Sequence, residues 1–412
     1  MNKNYKRLKM ACYMSGFCMS VVGNLSPILF LTFRSLYGIS YSLLGLLVLV
    51  NFVTQLTIDL IFSFFSHKFN ISKTVKFMPI LTISGFLIYS LWSFFSPQST
   101  YIGLLIGTIL FSLAGGLGEV LISPVIAAIP SEDPDREMSK LHSAYAWGVV
   151  FIVIISTLFL FIAGPENWQW LAILFTIMPI TAFLLFYGSE IPEMKTPEKV
   201  LGAVSLLKNK GLWLYLFAIF LGGAAELSMA QWSSSYLEQA LHIPKIWGDI
   251  FGVALFGLMM GIGRSLYAKI GKNIERVLLL GAVGATLCYL ITTISSYPLL
   301  GLLACSLTGF FVSMLWPGTL VVASERFPSG GVFVYAMMAA GGDLGASVAP
   351  QLMGIITDVA ANNSSLIAFA NSLGMMPEQF GMKLGMFVGM LFPLVSIALF
   401  YSILKNKNKN KN

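Results

Sequence analysis

The chain has 412 residues, of which 57% are hydrophobic and only 10% are charged, and its formal net charge is +7. Soluble domains carry about 25% charged residues, so this composition excludes an ordinary water-facing surface. The hydrophobicity extends along the whole chain, and a helix needs roughly 20 apolar residues to cross the hydrocarbon. The sequence therefore predicts an all-α polytopic membrane protein, in which each helix satisfies its own backbone hydrogen bonds within lipid.

Nearly uncharged runs of roughly 18 or more residues predict twelve spans. The first six are expected near 10–33, 41–65, 76–95, 101–129, 141–163 and 169–188. The second six are expected near 212–237, 247–268, 277–295, 298–323, 331–359 and 384–404. The first run follows a basic leader and is too long for a signal-peptide core, so we expect it to be a retained span.

A polar segment at 189–210, rich in Pro, Lys and Glu, separates the two sets of spans and predicts a cytoplasmic linker. The expected domains are thus an N-terminal six-helix bundle at 1–188 and a C-terminal six-helix bundle at 211–404. The Lys-Asn alternation at 405–412 predicts a disordered basic tail, because such a segment cannot bury a core.

The distribution of basic residues predicts the orientation in the membrane. With both termini in the cytoplasm, the expected outer loops contain only Arg34, Lys245 and Lys383 of the 25 basic residues. Since cytoplasmic loops carry the excess of Lys and Arg, we expect a multi-pass cell-membrane protein with cytoplasmic termini. Orientation and anionic headgroups then account for the positive charge, which gives no reason to expect a nucleic-acid partner.

Three acidic residues, Glu119, Glu226 and Asp343, lie near the midpoints of predicted spans, where a charge costs about 2.5–3.5 kcal/mol or more. Each shares its helix face with small residues, so these faces pack helices or line water. We predict that the three acids are proton-coupling candidates; the alternative for each is a protonated acid that hydrogen-bonds between packed helices. Asp59 and Asp358 lie closer to span ends and are expected to be structural or helix-terminal.

No Lys or Arg lies at a predicted span midpoint, so we expect these acids to have no cationic partner and burial to favour their neutral forms. The same pattern argues against phosphate, sugar phosphate or dicarboxylate as the substrate, because such anions usually need a fixed cation. A neutral or cationic substrate is favoured.

Uncharged polar and aromatic side chains within the spans are the substrate-binding candidates. Amides can hydrogen-bond hydroxyls, and aromatic rings can stack on a sugar ring or an apolar ligand, although each residue alone is more often a packing residue. The candidates are Asn24, Asn51, Gln55, Tyr145, Trp147, Gln231, Trp232, Trp316 and Gln351.

Enzymatic and metal-binding motifs are not found in the sequence. Gly341-Gly342-Asp343 approaches the Gly-x-Gly-Asp signature of intramembrane aspartyl proteases, but Ala340 stands where the first Gly is required. We therefore expect no enzyme, no cofactor and no metal site.

Six plus six spans with cytoplasmic termini and a charged linker resemble the major facilitator superfamily over essentially the whole chain. The loop motif Gly-x-x-x-Asp-Arg-x-Gly-Arg-Arg of that family is eroded at 66–70 but better kept from Gly263-Arg264 to Arg276. Arg264 is therefore expected to be a gate or loop residue, with an interfacial snorkelling cation as the alternative.

Within the superfamily, the run Ala114–Pro124 is similar to the fourth helix of the fucose permease branch of sugar/proton symporters. Glu119 and Pro124 match, while Ser123 replaces an Asn. The first helix departs from that branch, because Pro27 follows where the branch carries a coupling Asp. The resemblance implies proton-coupled alternating access with Glu119 as the proton carrier and leaves open which residue supplies a second carboxylate, Glu226 or Asp343.

The sequence as a whole predicts a secondary transporter of a neutral sugar or polyol. Its expected partners are the solute, protons and membrane lipids, and a monomer is expected. Two alternatives remain at this stage: a proton-antiporting exporter of lipophilic or cationic compounds, and a membrane sensor or enzyme that transports nothing.

Overall fold

A computed structural model describes residues 3–65, 68–130, 134–192, 207–270, 272–327 and 331–409. Most of the expected linker and the last three residues of the expected tail lie outside these ranges. The regular secondary structure of the described residues is helical throughout, with no strand among them.

The helices of the first half follow the predicted spans. They are α1 (Lys3–Ile28), α2 (Phe30–Tyr37), α3 (Tyr41–Phe65), α4 (Ile71–Phe95), α5 (Thr100–Ala128), α6 (Pro134–Ala163), α7 (Trp168–Phe175) and α8 (Ile177–Tyr187). Those of the second half are α9 (Lys210–Leu241), α10 (Lys245–Trp247), α11 (Leu255–Ile270), α12 (Ile274–Ile294), α13 (Pro298–Val312), α14 (Leu315–Arg326), α15 (Gly331–Asn362), α16 (Ser364–Ser372) and α17 (Pro377–Lys409).

Within the described residues, 10 helical segments are long and apolar enough to cross a membrane, and the bent pair α1 and α2 makes up to 11. The apolar part of α6, Trp147–Ala163, is a shorter candidate. This pattern confirms the predicted all-α membrane fold and agrees with twelve spans.

Several spans are interrupted, and proline explains two of the interruptions. Pro27 cannot donate a backbone hydrogen bond, and the chain bends by 44° where α1 gives way to α2. The break between α13 and α14 precedes Pro317, whose missing N–H leaves the carbonyl of Ser313 without its helical donor. A π-helical segment, Gly248–Ala254, precedes α11 within one span. Such interruptions release backbone carbonyls inside the protein, where side chains can reach them.

The chain divides into two compact units. Unit 1 comprises residues 1–39 and 50–200, and unit 2 comprises residues 40–49 and 201–412. The core of unit 1 includes Leu121, Val125 and Phe186, whereas a core cluster of unit 2 includes Leu212 and Met338. The first turns of α3 thus belong to unit 2, although the rest of that helix belongs to unit 1.

Asp358 explains how the start of α3 is fixed within unit 2. Its two carboxylate oxygens accept hydrogen bonds from the backbone N–H groups of Tyr41 at 2.9 Å and Ser42 at 2.6 Å. These amides are among the donors that an α-helix leaves unsatisfied at its N-terminus, and the helix dipole there favours a negative charge. The predicted helix-terminal role of Asp358 is confirmed, with the difference that Asp358 caps another helix.

Two expectations about the last span need revision. Lys383 was expected in an outer loop, but it lies inside α17, is only 6% exposed, and donates a 2.6 Å hydrogen bond to the carbonyl of Ser295. That contact lets an apolar helix carry a lysine, because the ammonium finds an acceptor inside the protein. Helix α17 also continues to Lys409, into the segment expected to be a disordered tail.

Candidate functional site

A polar stripe runs along α3 in unit 1. Asn51, Gln55 and Asp59 are spaced four residues apart, so they lie on one face of the helix. All three are buried, with 6%, 8% and 7% of their surfaces exposed. Three consecutive polar groups buried on one helix face require polar or very small neighbours on the helix packed against them.

Helix α5 supplies those neighbours. Asn51 Oδ1 accepts a hydrogen bond from Ser112 at 2.5 Å and another from Gln55 at 3.0 Å. One turn along α5, a Cβ added to Gly115 would lie 3.1 Å from Oε1 of Gln55, and one added to Gly116 would lie 3.0 Å from its Cα. The glycines therefore allow α3 and α5 to approach closely at Gln55.

Asp59 on α3 and Glu119 on α5 form the next pair of neighbours along these two helices. A carboxylate oxygen of one lies within 4.8 Å of a carboxylate oxygen of the other. Asp59 is buried, whereas the side chain of Glu119 is exposed. Two carboxylates at this distance repel each other when both are charged, so the pair favours a state that holds a proton. The arrangement can bind and release a proton at an accessible carboxylate.

Three other candidates of unit 1 differ in accessibility. The amide of Asn24 donates to the carbonyl of Ser20 on its own helix at 2.8 Å, so its N–H is engaged within α1. Tyr145 is 41% exposed, with its hydroxyl beside Gly23, and Trp147 is 69% exposed. The two aromatic residues on α6 thus present the accessible surfaces, whereas Asn51 and Gln55 bond to each other.

Glu226 of unit 2 has a cationic partner, contrary to the prediction from sequence. Nη2 of Arg264 lies 3.6 Å from Oε1 of Glu226. Nε of Arg264 donates to the carbonyl of Ser313 at 3.1 Å, which is the carbonyl that Pro317 leaves free. Arg264 lies near the end of its predicted span, and the reach of its side chain along the helix surface explains why the midpoint rule missed the pair.

Trp316 packs against glycines of α9 and α15 in unit 2. A Cβ on Gly342 would lie 2.5 Å from the Trp316 ring, and one on Gly223 would lie 3.0 Å from it. The indole therefore occupies space that only glycines leave open on α9 and α15. Asp343, the residue after Gly342, is 4% exposed.

The remaining candidates of unit 2 lie on α9 and α15. Trp232 is fully buried, and its indole N–H donates to the carbonyl of Pro350 at 3.0 Å. Gln231 is 4% exposed. Gln351 is half-buried, and its Oε1 would lie 3.2 Å from a Cβ on Gly45. In this conformation Trp232 packs within unit 2 and offers no free ring face.

Asp59 is the site residue that sequence reasoning assigned to a structural role. Its signal was present in the spacing, because Asn51, Gln55 and Asp59 repeat every four residues and so share a face. Only the approach of α3 to α5 at Ser112, Gly115 and Gly116 shows that this face meets Glu119.

Comparison with known proteins identifies the architecture. The family model of the Major Facilitator Superfamily matches residues 11–350. A D-xylose-proton symporter structure is similar with a TM-score of 0.73 and 14% identity, covering 96% of this chain and 97% of that chain. The structure of the nucleoside transporter NupG gives 0.73 and 11%, with coverage of 95% and 100%. The fucose:proton symporter FucP of E. coli gives 0.58 and 14%, with coverage of 96% and 99%.

No curated protein sequence gives a significant match to the chain. Sequence identities of 11–14% to the solved structures establish the fold and leave the transported solute to be argued from the site.

Proposed function

The chain belongs to the major facilitator superfamily, and from that premise we propose that it moves a small neutral solute, a sugar or polyol, by proton-coupled alternating access. The fold and the membrane-length helices identify a multi-pass membrane transporter. The coupling ion and the class of solute are the proposal.

The observation that carries proton coupling is the carboxylate pair of Asp59 and Glu119 in unit 1. A carboxylate within an apolar span is costly and is seldom kept without a function, and Glu119 is both accessible and next to a second acid. Loading a proton on Glu119 removes the repulsion between the two groups. The protonated side chain of Glu119 is neutral, so the surface around it can close without burying a charge on that residue.

The polar contacts of unit 1 support this assignment by holding the acid in place. Asn51 accepts hydrogen bonds from Ser112 of α5 and from Gln55 on its own helix, so the two helices that carry Asp59 and Glu119 are joined two turns away from the acids. A fixed distance between the acids keeps their interaction constant, which a proton carrier needs in order to respond to pH.

The ion pair of unit 2 supports a neutral solute. Arg264 is engaged by Glu226 and by the carbonyl of Ser313, so it is not available as a fixed cation for a phosphate or carboxylate of the solute. Sugar hydroxyls can instead bond to amides and stack on rings, and Tyr145, Trp147, Trp316 and Gln351 are the accessible or half-buried groups of those kinds.

Proteoliposomes give the test. Purified protein is reconstituted with a pH-sensitive dye inside, and neutral sugars, polyols, sugar phosphates and lipophilic cations are added in turn. Proton movement driven by a neutral sugar or polyol, in the same direction as the solute, supports the proposal. Movement of protons against a lipophilic cation would replace it with an exporter, and saturable transport of a sugar phosphate would contradict the neutral-solute assignment.

We further propose that both termini face the cytoplasm, on the basis of the asymmetric distribution of basic residues. The four native cysteines are buried, so an introduced cysteine can be labelled selectively. Ser364→Cys in intact cells should react with an impermeant reagent, while Lys208→Cys should react only after permeabilisation. The reverse pattern would invert the orientation.

A further inference from the structure

An apolar crevice of about 470 Å³ opens in unit 1 between α1, α6 and the pair α7 and α8. Its lining includes Met14 and Phe17 from α1, Phe151 and Ile155 from α6, and Leu174 and Ile177 on either side of the helix break. Neither Asp59 nor Glu119 lines this crevice, so it is separate from the carboxylate pair.

The crevice opens to the surface of unit 1, because some of its lining side chains are exposed. Leu174 and Ile177 are 42% and 58% exposed, and the rings of Phe17 and Phe151 contact each other with centroids 5.2 Å apart. Exposed apolar side chains on a membrane-spanning helix meet lipid hydrocarbon. An occupant of this crevice must therefore present an apolar chain to Met, Phe, Leu and Ile side chains.

One end of the crevice carries positive charge. Lys6, Met10, Met14 and Phe17 follow at intervals of four, four and three residues, so they form one stripe along α1. Met10 lies at the end of the lining. Lys6 is exposed and lies one turn beyond it, near the N-terminal end of the span.

Arg7 adds a second cation at the same end and fixes its geometry. Its Nε donates to the carbonyl of Leu185 at 3.1 Å, and its Nη2 donates to that of Leu184 at 2.5 Å. These carbonyls belong to the C-terminal end of α8, where a cation is favoured by the helix dipole. The contact holds the ends of α1 and α8 together beside the crevice.

We propose that this crevice binds an anionic phospholipid, with one acyl chain along the apolar lining and the phosphate beside Lys6 and Arg7. The combination of an apolar channel and cations at one end matches the two parts of such a lipid. A neutral phospholipid offers the same chains without a net charge to pair with Lys6. This site is independent of the solute and of proton coupling.

Photocrosslinking in nanodiscs tests the proposal. Wild-type protein is embedded in phosphatidylcholine with a trace of either phosphatidylglycerol or phosphatidylcholine carrying a diazirine on the acyl chain, and the labelled peptides are identified. We expect phosphatidylglycerol to label the crevice segments of α1, α6 and α8 preferentially. Equal labelling by the two lipids, or labelling confined to other helices, would overturn the proposal.

Two variants, each with a matched control, test the binding of the lipid headgroup and of the acyl chain separately. Lys6→Gln should lower the preference for phosphatidylglycerol about fivefold, as expected for one lysine near the surface. Lys73→Gln, at the start of α4, should leave it unchanged. If Lys73→Gln has the same effect as Lys6→Gln, the preference is a general surface attraction and the site is wrong.

Ile177→Trp fills the crevice from an exposed position and so places little strain on the fold. It should reduce labelling of the crevice segments by both lipids. Ile180→Trp, also exposed on α8 but outside the lining, should have no such effect. Unchanged labelling in Ile177→Trp would show that the acyl chain lies elsewhere.

Discussion

Glu119 in unit 1 and Glu226 in unit 2 have similar sequence surroundings, yet the side chains next to them in the structure carry opposite charges. Each lies within an apolar span, on a face of small residues. Glu119 has a second carboxylate, that of Asp59, within 4.8 Å, whereas Glu226 has the guanidinium of Arg264 at 3.6 Å. A neighbouring acid favours the protonated form, and a neighbouring cation favours the charged form.

The role of an acid in a membrane span therefore depends on its neighbours more than on its depth. Like-charge repulsion between Asp59 and Glu119 is the basis of the coupling role that we propose for this pair. The opposite charges of Glu226 and Arg264 attract each other at 3.6 Å, so this pair suits a structural or gating role.

The largest expected effect is on driven transport in Glu119→Gln. Glutamine has the shape and charge of the protonated acid, so counterflow exchange should persist while accumulation driven by a pH gradient falls at least about tenfold. Both activities are measured in the same proteoliposomes. The matched control is Glu226→Gln, which should retain most of its driven accumulation if the contrast holds.

Two results would contradict these roles of Glu119 and Glu226. Retention of driven accumulation in Glu119→Gln would remove this residue from coupling. Loss of driven accumulation in Glu226→Gln, with counterflow intact, would transfer the coupling role to unit 2 despite the ion pair.

A smaller effect is expected in Asp59→Asn, which keeps Glu119 but removes the charge beside it. Two carboxylates at this separation repel each other when both are charged. Without that charge the two side chains no longer repel each other, so the midpoint of the pH profile for driven uptake should move to lower pH. Asp358→Asn is the control, and its profile should match the wild type. An unmoved midpoint in Asp59→Asn would mean that the two acids do not interact.

The ion pair of Arg264 and Glu226 should make the effects of substituting these two residues on the free energy of unfolding non-additive. Arg264→Gln leaves Glu226 without its cation, which should lower the free energy of unfolding by about 1–3 kcal/mol. Arg264 is half exposed, so solvent screening places the value toward the lower end. In Glu226→Gln combined with Arg264→Gln, the loss should be smaller than the sum of the single losses. Additive losses, measured by thermal unfolding in detergent, would show that the 3.6 Å contact contributes nothing.

The positions of the spans could be predicted from sequence because lipid imposes one rule, a long apolar helix, on every one of them. This rule did not place all charged residues correctly. Lys383 was assigned to a loop because a charge usually ends a span, but the carbonyl of Ser295 accepts its hydrogen bond inside the protein. A tertiary contact of this kind, 88 residues away in sequence, leaves no trace in local composition.

The contacts between residues of the candidate site could not be predicted from sequence either. Glu119 and Glu226 could be found individually from their depth and their small-residue faces. Asp59 and Arg264 could not be matched to them, because each partner lies on a different helix and its register is set by packing. For Asp59 that packing depends on Gly115 and Gly116 against Gln55, and for Arg264 on a carbonyl released by Pro317.

The smallest effect is expected at Asp358. Its neighbours are neither a second acid, as for Glu119, nor a cation, as for Glu226, but the backbone amides of a helix N-terminus. Asp358→Ala removes two hydrogen bonds to Tyr41 and Ser42 at the start of α3, and loss of a cap of this kind costs about 1 kcal/mol. The midpoint of thermal unfolding should therefore fall modestly. The pH profile of driven uptake should stay in place, because the charge of Asp358 is stabilised by a helix N-terminus rather than by a titrating neighbour. Asp358→Asn keeps one carbonyl oxygen as an acceptor and should lie between the wild type and the alanine variant in stability. A shift of the pH profile in either variant would make Asp358 part of the coupling machinery and would end the distinction drawn between Glu119 and the other acids of the spans.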